Sequence, residues 1–271
     1  MTLAIAGKTA VVTGAANGVG LAIARHFVAR GANVMFADMD EERLEAELGD
    51  VEDEKGTARY FAGDLREKLT RANLLSATID AFEAVDILVN ASRQVDVSDP
   101  LSPEEDNVQA LLDQNLMISL RMTQLFSKRM IEQAGDDEEE EQTKPAGSII
   151  NLSSIAAHRT TPSLLAFSVS SAALDQMTRS MAVTLAPHRI RVNAIAFGSV
   201  MSASLEDALQ DGQDQRRAII DHTPLGRIAA PKELAEVAQF LASDGSGFMT
   251  GEVVTVDGGR TLLDAVDAPV H

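Results

Sequence analysis

Cysteine is missing altogether, and disulfides, thiolate nucleophiles and cysteine-ligated metals go with it. Tryptophan is absent too, and there is one tyrosine, Tyr60. Any chemistry that needs a phenol has only that residue to draw on. The five histidines, at 26, 158, 188, 222 and 271, show no H-E-x-x-H spacing, so no metal site is expected. No apolar run reaches the roughly 18 residues that cross a bilayer. The opening MTLAIAGKTAVVTG lacks the charged-then-apolar layout of a secretory signal. These absences read as a soluble, cytoplasmic protein. Basic residues are also short, with 23 Lys and Arg against 41 Asp and Glu and a net charge of −18. Nucleic acids and anionic membranes need basic surface, so neither is expected as a partner. Part of the acidic excess is one run from Asp136 to Glu141. It reads as a solvated, self-repelling loop over about 135–145, with an acidic partner-binding segment as the sharper alternative.

What is present is a regular alternation. The 271 residues can bury a substantial core, and no linker or repeat divides them, so one domain over 1–271 is expected. Short apolar runs at 9–13, 33–37, 57–62, 86–90, 147–152, 191–195 and 252–256 read as strands. Helical patterns lie between them, at 18–30, 40–48, 69–82, 104–133, 162–186, 204–221 and 231–243, with Asp40 as a candidate N-cap. Strands alternating with helices require crossovers, hence a parallel sheet. The strand runs are almost wholly apolar, as when both faces are covered. The expected fold is α/β: a single doubly wound Rossmann-type domain with a seven-stranded parallel sheet flanked by helices.

Thr13-Gly-Ala-Ala-Asn-Gly-Val-Gly20 joins the first strand to the first helix. In such a turn Gly14 permits the tight bend and Gly18 lets the backbone approach a pyrophosphate. Gly20 lets helix and strand pack closely. The helix N-terminus then offers free N–H groups to the phosphates. Asp38 ends the second strand, where a carboxylate can accept from both adenosine ribose hydroxyls and would repel a 2′-phosphate. Neither Asn17 nor Met39 supplies a compensating cation. NAD is therefore the expected cofactor, with NADP less favoured.

The glycine spacing resembles the short-chain dehydrogenase/reductase family, and further segments agree in order along nearly the whole chain. They include Asp64-Leu65, Asn90-Ala91-Ser92, Gly147-Ser-Ile-Ile-Asn-Leu-Ser-Ser154, Asn193-Ala-Ile-Ala-Phe-Gly198, Pro224-Leu-Gly-Arg227, Thr250-Gly251 and Val256-Asp-Gly-Gly259. The resemblance implies a cofactor site of Gly14, Asn17, Gly18, Val19, Gly20, Asp38, Asp64, Leu65, Asn90, Ala91, Ser92, Gly198 and Val200. It implies Ser154 as the residue that polarises a substrate carbonyl and Asn115 as the holder of a catalytic water. It also implies a homo-oligomer, dimer or tetramer, built on the helices around 104–133 and 162–187 and on the last strand.

The resemblance departs at the chemistry. The family's Tyr-x-x-x-Lys falls on Phe167 and Ser171, in Ala-Phe167-Ser-Val-Ser-Ser171-Ala-Ala-Leu. Phe keeps the ring and loses the proton; Ser keeps a hydroxyl and loses the charge. Two residues near the expected pocket can supply polar chemistry. His158 can serve as a proton donor in place of the missing phenol, histidine being the residue type suited to proton exchange at physiological pH, and Arg93 can polarise a carbonyl or hold a carboxylate. Two functions stay open. One is an oxidoreductase with altered or impaired hydride transfer between a nicotinamide cofactor and an alcohol or carbonyl substrate. The other is a pseudoenzyme, acting as a nucleotide-binding regulator or a non-catalytic subunit.

Overall fold

The computed structural model describes residues 3–51, 57–135, 145–201, 205 and 213–264. Its strands are β1 (Thr9–Thr13), β2 (Asn33–Asp38), β3 (Ala58–Ala62), β4 (Ile87–Asn90), β5 (Gly147–Ser154), β6 (Ile190–Phe197) and β7 (Val253–Val256). They form one seven-stranded sheet in the order β3-β2-β1-β4-β5-β6-β7, and every neighbouring pair is parallel. The crossovers carry α1 (Gly18–Ala29), α2 (Glu41–Val51), α3 (Lys68–Phe82), α4 (Val108–Leu111), α5 (Ile118–Ala134), α6 (Leu165–Leu185), α7 (Gln213–Asp221) and α8 (Pro231–Ala242).

Strand side chains alternate between faces, and here each face has its own core. Val12, Val34, Phe36, Ile87 and Ile150 join Ile23 and Phe27 of α1 and Leu234 and Leu241 of α8. The intervening Val11, Met35, Leu88, Ile149 and Val192 join Leu74 of α3, Met122 and Phe126 of α5 and Leu185 of α6. Burial on both faces explains why the strand sequences read as unbroken apolar runs. Phe27 and Phe126 are fully buried, each stabilising the fold by about 1.5–3 kcal/mol through removal of apolar surface from water.

The expected α/β architecture is therefore the one found, with local corrections. The helix expected over 104–133 starts at Val108 instead. Asn107 adopts a left-handed φ of 54°, and the Asp106 carboxylate accepts the Val108 N–H at 2.9 Å, so the chain turns before it coils. Between α4 and α5 the chain widens into a π-helical turn, Leu112–Met117. Asp40 does cap α2, accepting the Arg43 N–H at 3.1 Å. The 162–186 segment opens with a 3-10 turn, Pro162–Leu164, before α6. Both β5 and β6 run two residues further than the apolar runs indicate, to Ser154 and Phe197. Of the helix expected over 204–221, α7 is the described part. The acidic run, Asp136 to Glu141, lies outside the described residues.

Strand order reverses direction between β1 and β4. The loops leaving their C-terminal ends diverge there, and ligands of open parallel sheets bind in the resulting crevice. The glycine turn, the Asn90–Gln94 segment and the ends of β5 and β6 all lie along this one edge of the sheet.

Candidate active site at the strand-order reversal

The glycine turn is built around close backbone approach. Gly14 has a φ of +65°, and a Cβ there would lie 2.8 Å from the Ala91 carbonyl oxygen and the Ser92 nitrogen. A Cβ on Gly20 would lie 2.1 Å from the Gly14 carbonyl oxygen. The Thr13 hydroxyl fixes the approach from the other side, accepting the N–H groups of both Ala91 and Ser92 at 3.0 Å. Asn17 stands at the N-cap of α1 in an extended conformation, and its side chain makes no capping hydrogen bond. The first N–H groups of a helix have no intrahelical acceptor, so α1 offers donors to an anion at this turn.

Asp38 joins the turn to the end of β2. One carboxylate oxygen accepts from Ala16 N–H at 3.1 Å, and the other from Met39 and Asp40 N–H at 2.7 and 3.2 Å. The acid is thus anchored beside the glycines, with lone pairs remaining for a further donor. Uncapped helix, glycine cradle and anchored acid fit the phosphates and ribose of a dinucleotide.

Other residues of the expected cofactor set have their side chains engaged elsewhere. Asp64 is gripped by Arg66, whose guanidinium holds the carboxyl below its usual range. Leu65 is buried in the core on the α3 side. The Asn90 amide donates to Asn151 Oδ1 at 2.8 Å and Thr123 Oγ1 at 3.3 Å, and Asn151 in turn donates to Thr178 Oγ1 at 2.9 Å. This buried chain ties α5, β4, β5 and α6 together below the crevice. Gly198 N–H donates to the Val256 carbonyl at 3.4 Å, and Val200 is buried and bridges to Ala229.

The residues at the chemical end converge. Ser154 and Phe197 are partners in the β5–β6 ladder, so their Cα atoms sit side by side at the strand ends. The Ser154 oxygen accepts the Ala156 N–H at 3.1 Å, which leaves its own O–H free to donate. Phe167 and Ser171 lie one turn apart on α6, both buried. The Arg93 guanidinium lies 4.2 Å from the ring centroid of Phe197 and 5.6 Å from that of Phe167. Burial lowers the Arg93 pKa to about 10. Among the described residues no carboxylate or hydrogen-bond acceptor engages its side chain.

Arg93 is held from both sides. Ser92 is fixed through its N–H to Thr13, and its hydroxyl accepts from Gln114 at 3.3 Å. Gln94 is fixed by Asn115, in the π-helical turn, whose Oδ1 accepts the Gln94 N–H at 2.8 Å and whose Nδ2 donates to the Gln94 carbonyl at 2.9 Å. The same amide reaches Ser170 Oγ on α6 at 3.1 Å.

His158, expected near the pocket from its sequence position, is paired with an acid. Its Nε2 lies 3.3 Å from a carboxylate oxygen of Asp175, a buried residue on α6 that sequence reasoning passed over. Burial pushes the Asp175 carboxyl above its usual range, while the Ser153 hydroxyl, His158 and Arg179 pull it down without prevailing. Tyr60 donates to Glu45 at 2.8 Å from β3, the edge strand on the far side of β2 and β1 from β4 and β5. Sequence reasoning also missed Gln94 and Ser170, which carry no chemical signal of their own.

A family model described as enoyl-(acyl carrier protein) reductase matches residues 14–261. The chain belongs to the short-chain dehydrogenase/reductase family. Among its relatives, L-fucose dehydrogenase of Mus musculus is 33% identical, over 94% of this chain and 89% of that protein. A 3-oxoacyl-[acyl-carrier-protein] reductase of Thermotoga maritima is 29% identical, over 94% of this chain and 98% of that one. The solved structure of 7α-hydroxysteroid dehydrogenase with NADH and 7-oxo glycochenodeoxycholic acid superposes with a TM-score of 0.86. It is 26% identical and covers 95% of each chain. A short-chain dehydrogenase/reductase is an oxidoreductase that takes a nicotinamide cofactor. No helix among the described residues is long and apolar enough to cross a membrane.

Proposed function

We propose that the chain binds NAD(H) and transfers hydride to or from an alcohol or carbonyl substrate without the family's usual Tyr–Lys proton relay. The anchored Asp38 carboxylate carries the nucleotide half of this reading. It stands beside the glycine turn with no cation among its hydrogen-bond partners, which suits ribose hydroxyls and disfavours a 2′-phosphate.

A nicotinamide cofactor, when bound, supplies the hydride donor or acceptor. The chain's own residues bind and orient. Gly14, Asn17, Gly18, Val19 and Gly20 supply the phosphate cradle, and the backbone of Asn90, Ala91 and Ser92 lines the neighbouring loop. Asp64, Leu65, Gly198 and Val200 border the two ends of the crevice. Ser154 has a free O–H to direct at a substrate oxygen. Phe167 offers no proton, and buried Ser171 brings no charge. Loss of general acid–base help lowers turnover by roughly 10²–10⁴-fold, while positioning of the reactants is retained. His158, paired with Asp175, serves the pocket wall.

Phe167 is also the observation that favours a second reading, a nucleotide-binding regulator or non-catalytic subunit. NADH titration by fluorescence, followed by a turnover screen of alcohols and ketones, separates the two. Binding with turnover supports the enzyme; binding with none across a broad panel overturns it. The double substitution Phe167→Tyr with Ser171→Lys raises turnover if the surrounding pocket is sound.

The assembly reading is a homo-oligomer. Leu111, Leu174 and Met177 are buried within the protomer, whereas Val183 on α6 is exposed and available to a second copy. Light scattering on the eluted chain checks it, and a monomer alone would contradict it.

A further inference from the structure

We propose that Arg93 is the anchor for a carboxylate on the substrate, so that the chain acts on oxo or hydroxy acids rather than on neutral ketones and alcohols. The inference rests on the oxidoreductase reading and names the substrate class of that same site.

The argument begins with the cost of the arrangement. Arg93 is half-buried, and a guanidinium drawn partly out of water without a counter-charge carries a cost that a partner would relieve. Phe197 and Phe167 compensate only in part. Their rings attract the cation, but an aromatic ring is no substitute for the oxygen acceptors that its five N–H donors can take. No acceptor among the described residues meets those donors. Burial has lowered the pKa only to about 10, so the charge persists at neutral pH.

The second point is rigidity. A solvent-facing arginine is normally a mobile one. Arg93 instead sits between two residues whose backbones are pinned, Ser92 by Thr13 and Gln94 by the paired bonds to Asn115. A backbone pinned on both sides gives the side chain a fixed point of departure, which favours a pre-organised contact with a ligand.

The third point is the shape of the missing partner. The N–H donors of a guanidinium form a planar fork that matches a planar group bearing two oxygens, the geometry of a bidentate carboxylate. A nucleotide phosphate is the other anion at hand, but its site is the glycine turn and the N-terminus of α1. Phe197 is the ladder partner of Ser154. A carboxylate on Arg93 therefore places the neighbouring carbons of the same molecule by the Ser154 hydroxyl. The arrangement also places a positive charge by the Phe167 ring, from the segment after β4 rather than from α6.

The test is calorimetric titration of the full chain, without nucleotide and with saturating NADH. The ligands are pyruvate, 2-oxobutyrate and acetoacetate, each against its methyl ester. At least one acid is expected to bind about 10- to 100-fold more tightly than its ester. Arg93→Gln is expected to abolish that preference while leaving ester and NADH binding in place. A panel in which no acid outbinds its ester overturns the proposal, as does a preference that survives in Arg93→Gln. The acid–ester comparison on the unaltered chain can overturn the proposal even if the variant fails to fold. Absence of NADH binding counts against the nucleotide reading alone, because the nucleotide-free titrations still report on Arg93.

Discussion

Asn115 spends its side-chain amide on both polar groups of Gln94, accepting the N–H at 2.8 Å and donating to the C=O at 2.9 Å. The amide orientation follows from its partners, since an N–H can only donate and a carbonyl can only accept. Asn115→Leu leaves both groups unpaired in a partly buried setting and should cost about 1–3 kcal/mol. Asn115→Asp keeps one bond but sets a carboxylate oxygen against the Gln94 carbonyl, so it should not be conservative. Urea unfolding would check this: the midpoint falls in both variants with little change in slope. Unchanged midpoints would mean that the Gln94 backbone finds other partners.

The glycine turn makes a steric prediction that needs no ligand. Gly20→Ala places a methyl 2.1 Å from the Gly14 carbonyl oxygen; the methyl is fixed to Cα and the oxygen is backbone, so neither can rotate away. The start of α1 must then move off β1. Overpacking of this kind costs about 1–3 kcal/mol and displaces the N–H donors aimed at the turn. The expected result is a lower melting temperature together with weaker NADH binding by fluorescence titration. A variant that binds NADH as tightly as the parent would show the close packing to be dispensable.

These residues also show what the sequence made legible. The turn, the end of β2 and the Phe167–Ser171 spacing are local patterns, set by the period of one strand or one helix, and each survives intact in the fold. The alternating faces of the sheet were legible for the same reason. The contact between Arg93 and Phe197 was not. Arg93 follows β4 and Phe197 ends β6, with β5 lying between them, so only the assembled sheet brings the two together. The π-helical turn was hidden because its widening barely disturbs the apolar period of the helix around it. Asp175 was hidden because an acid within a helix ordinarily marks the solvated face, and here it faces Ser153 and His158.

Asp38 carries the prediction on cofactor choice. On the proposed NAD reading its charge disfavours a 2′-phosphate, while its three backbone bonds tie β2 to the turn. Asp38→Ser keeps a hydrogen-bonding side chain and removes the charge. Binding of NADPH relative to NADH should rise by roughly tenfold or more, about 1.4 kcal/mol, a modest value for relief of a like-charge contact. Parallel fluorescence titrations with the two nucleotides give the ratio. An unchanged ratio would remove Asp38 from the ribose site and leave it as a structural cap.

The pH dependence of stability turns on Asp175, whose carboxyl burial holds above the usual carboxylate range. A carboxyl with a raised folded-state pKa binds its proton more readily folded than unfolded. Its effect therefore favours the native state as pH falls through the folded value toward the ordinary one near 3.9, and works against the native state above it. Asn has nearly the same shape and cannot ionise. Asp175→Asn should therefore raise stability at pH 8 by on the order of 1 kcal/mol, the cost of a buried charge incompletely compensated. The gain over the parent should shrink steadily as pH is lowered into the range where Asp175 takes up its proton. The attraction to His158, whose side chain is half exposed, opposes this and sets the competing expectation. If that pairing dominated, Asp175→Asn would destabilise the protein near neutrality. Melting curves of parent and variant at pH 5 and pH 8 distinguish the outcomes by the sign of the difference at pH 8.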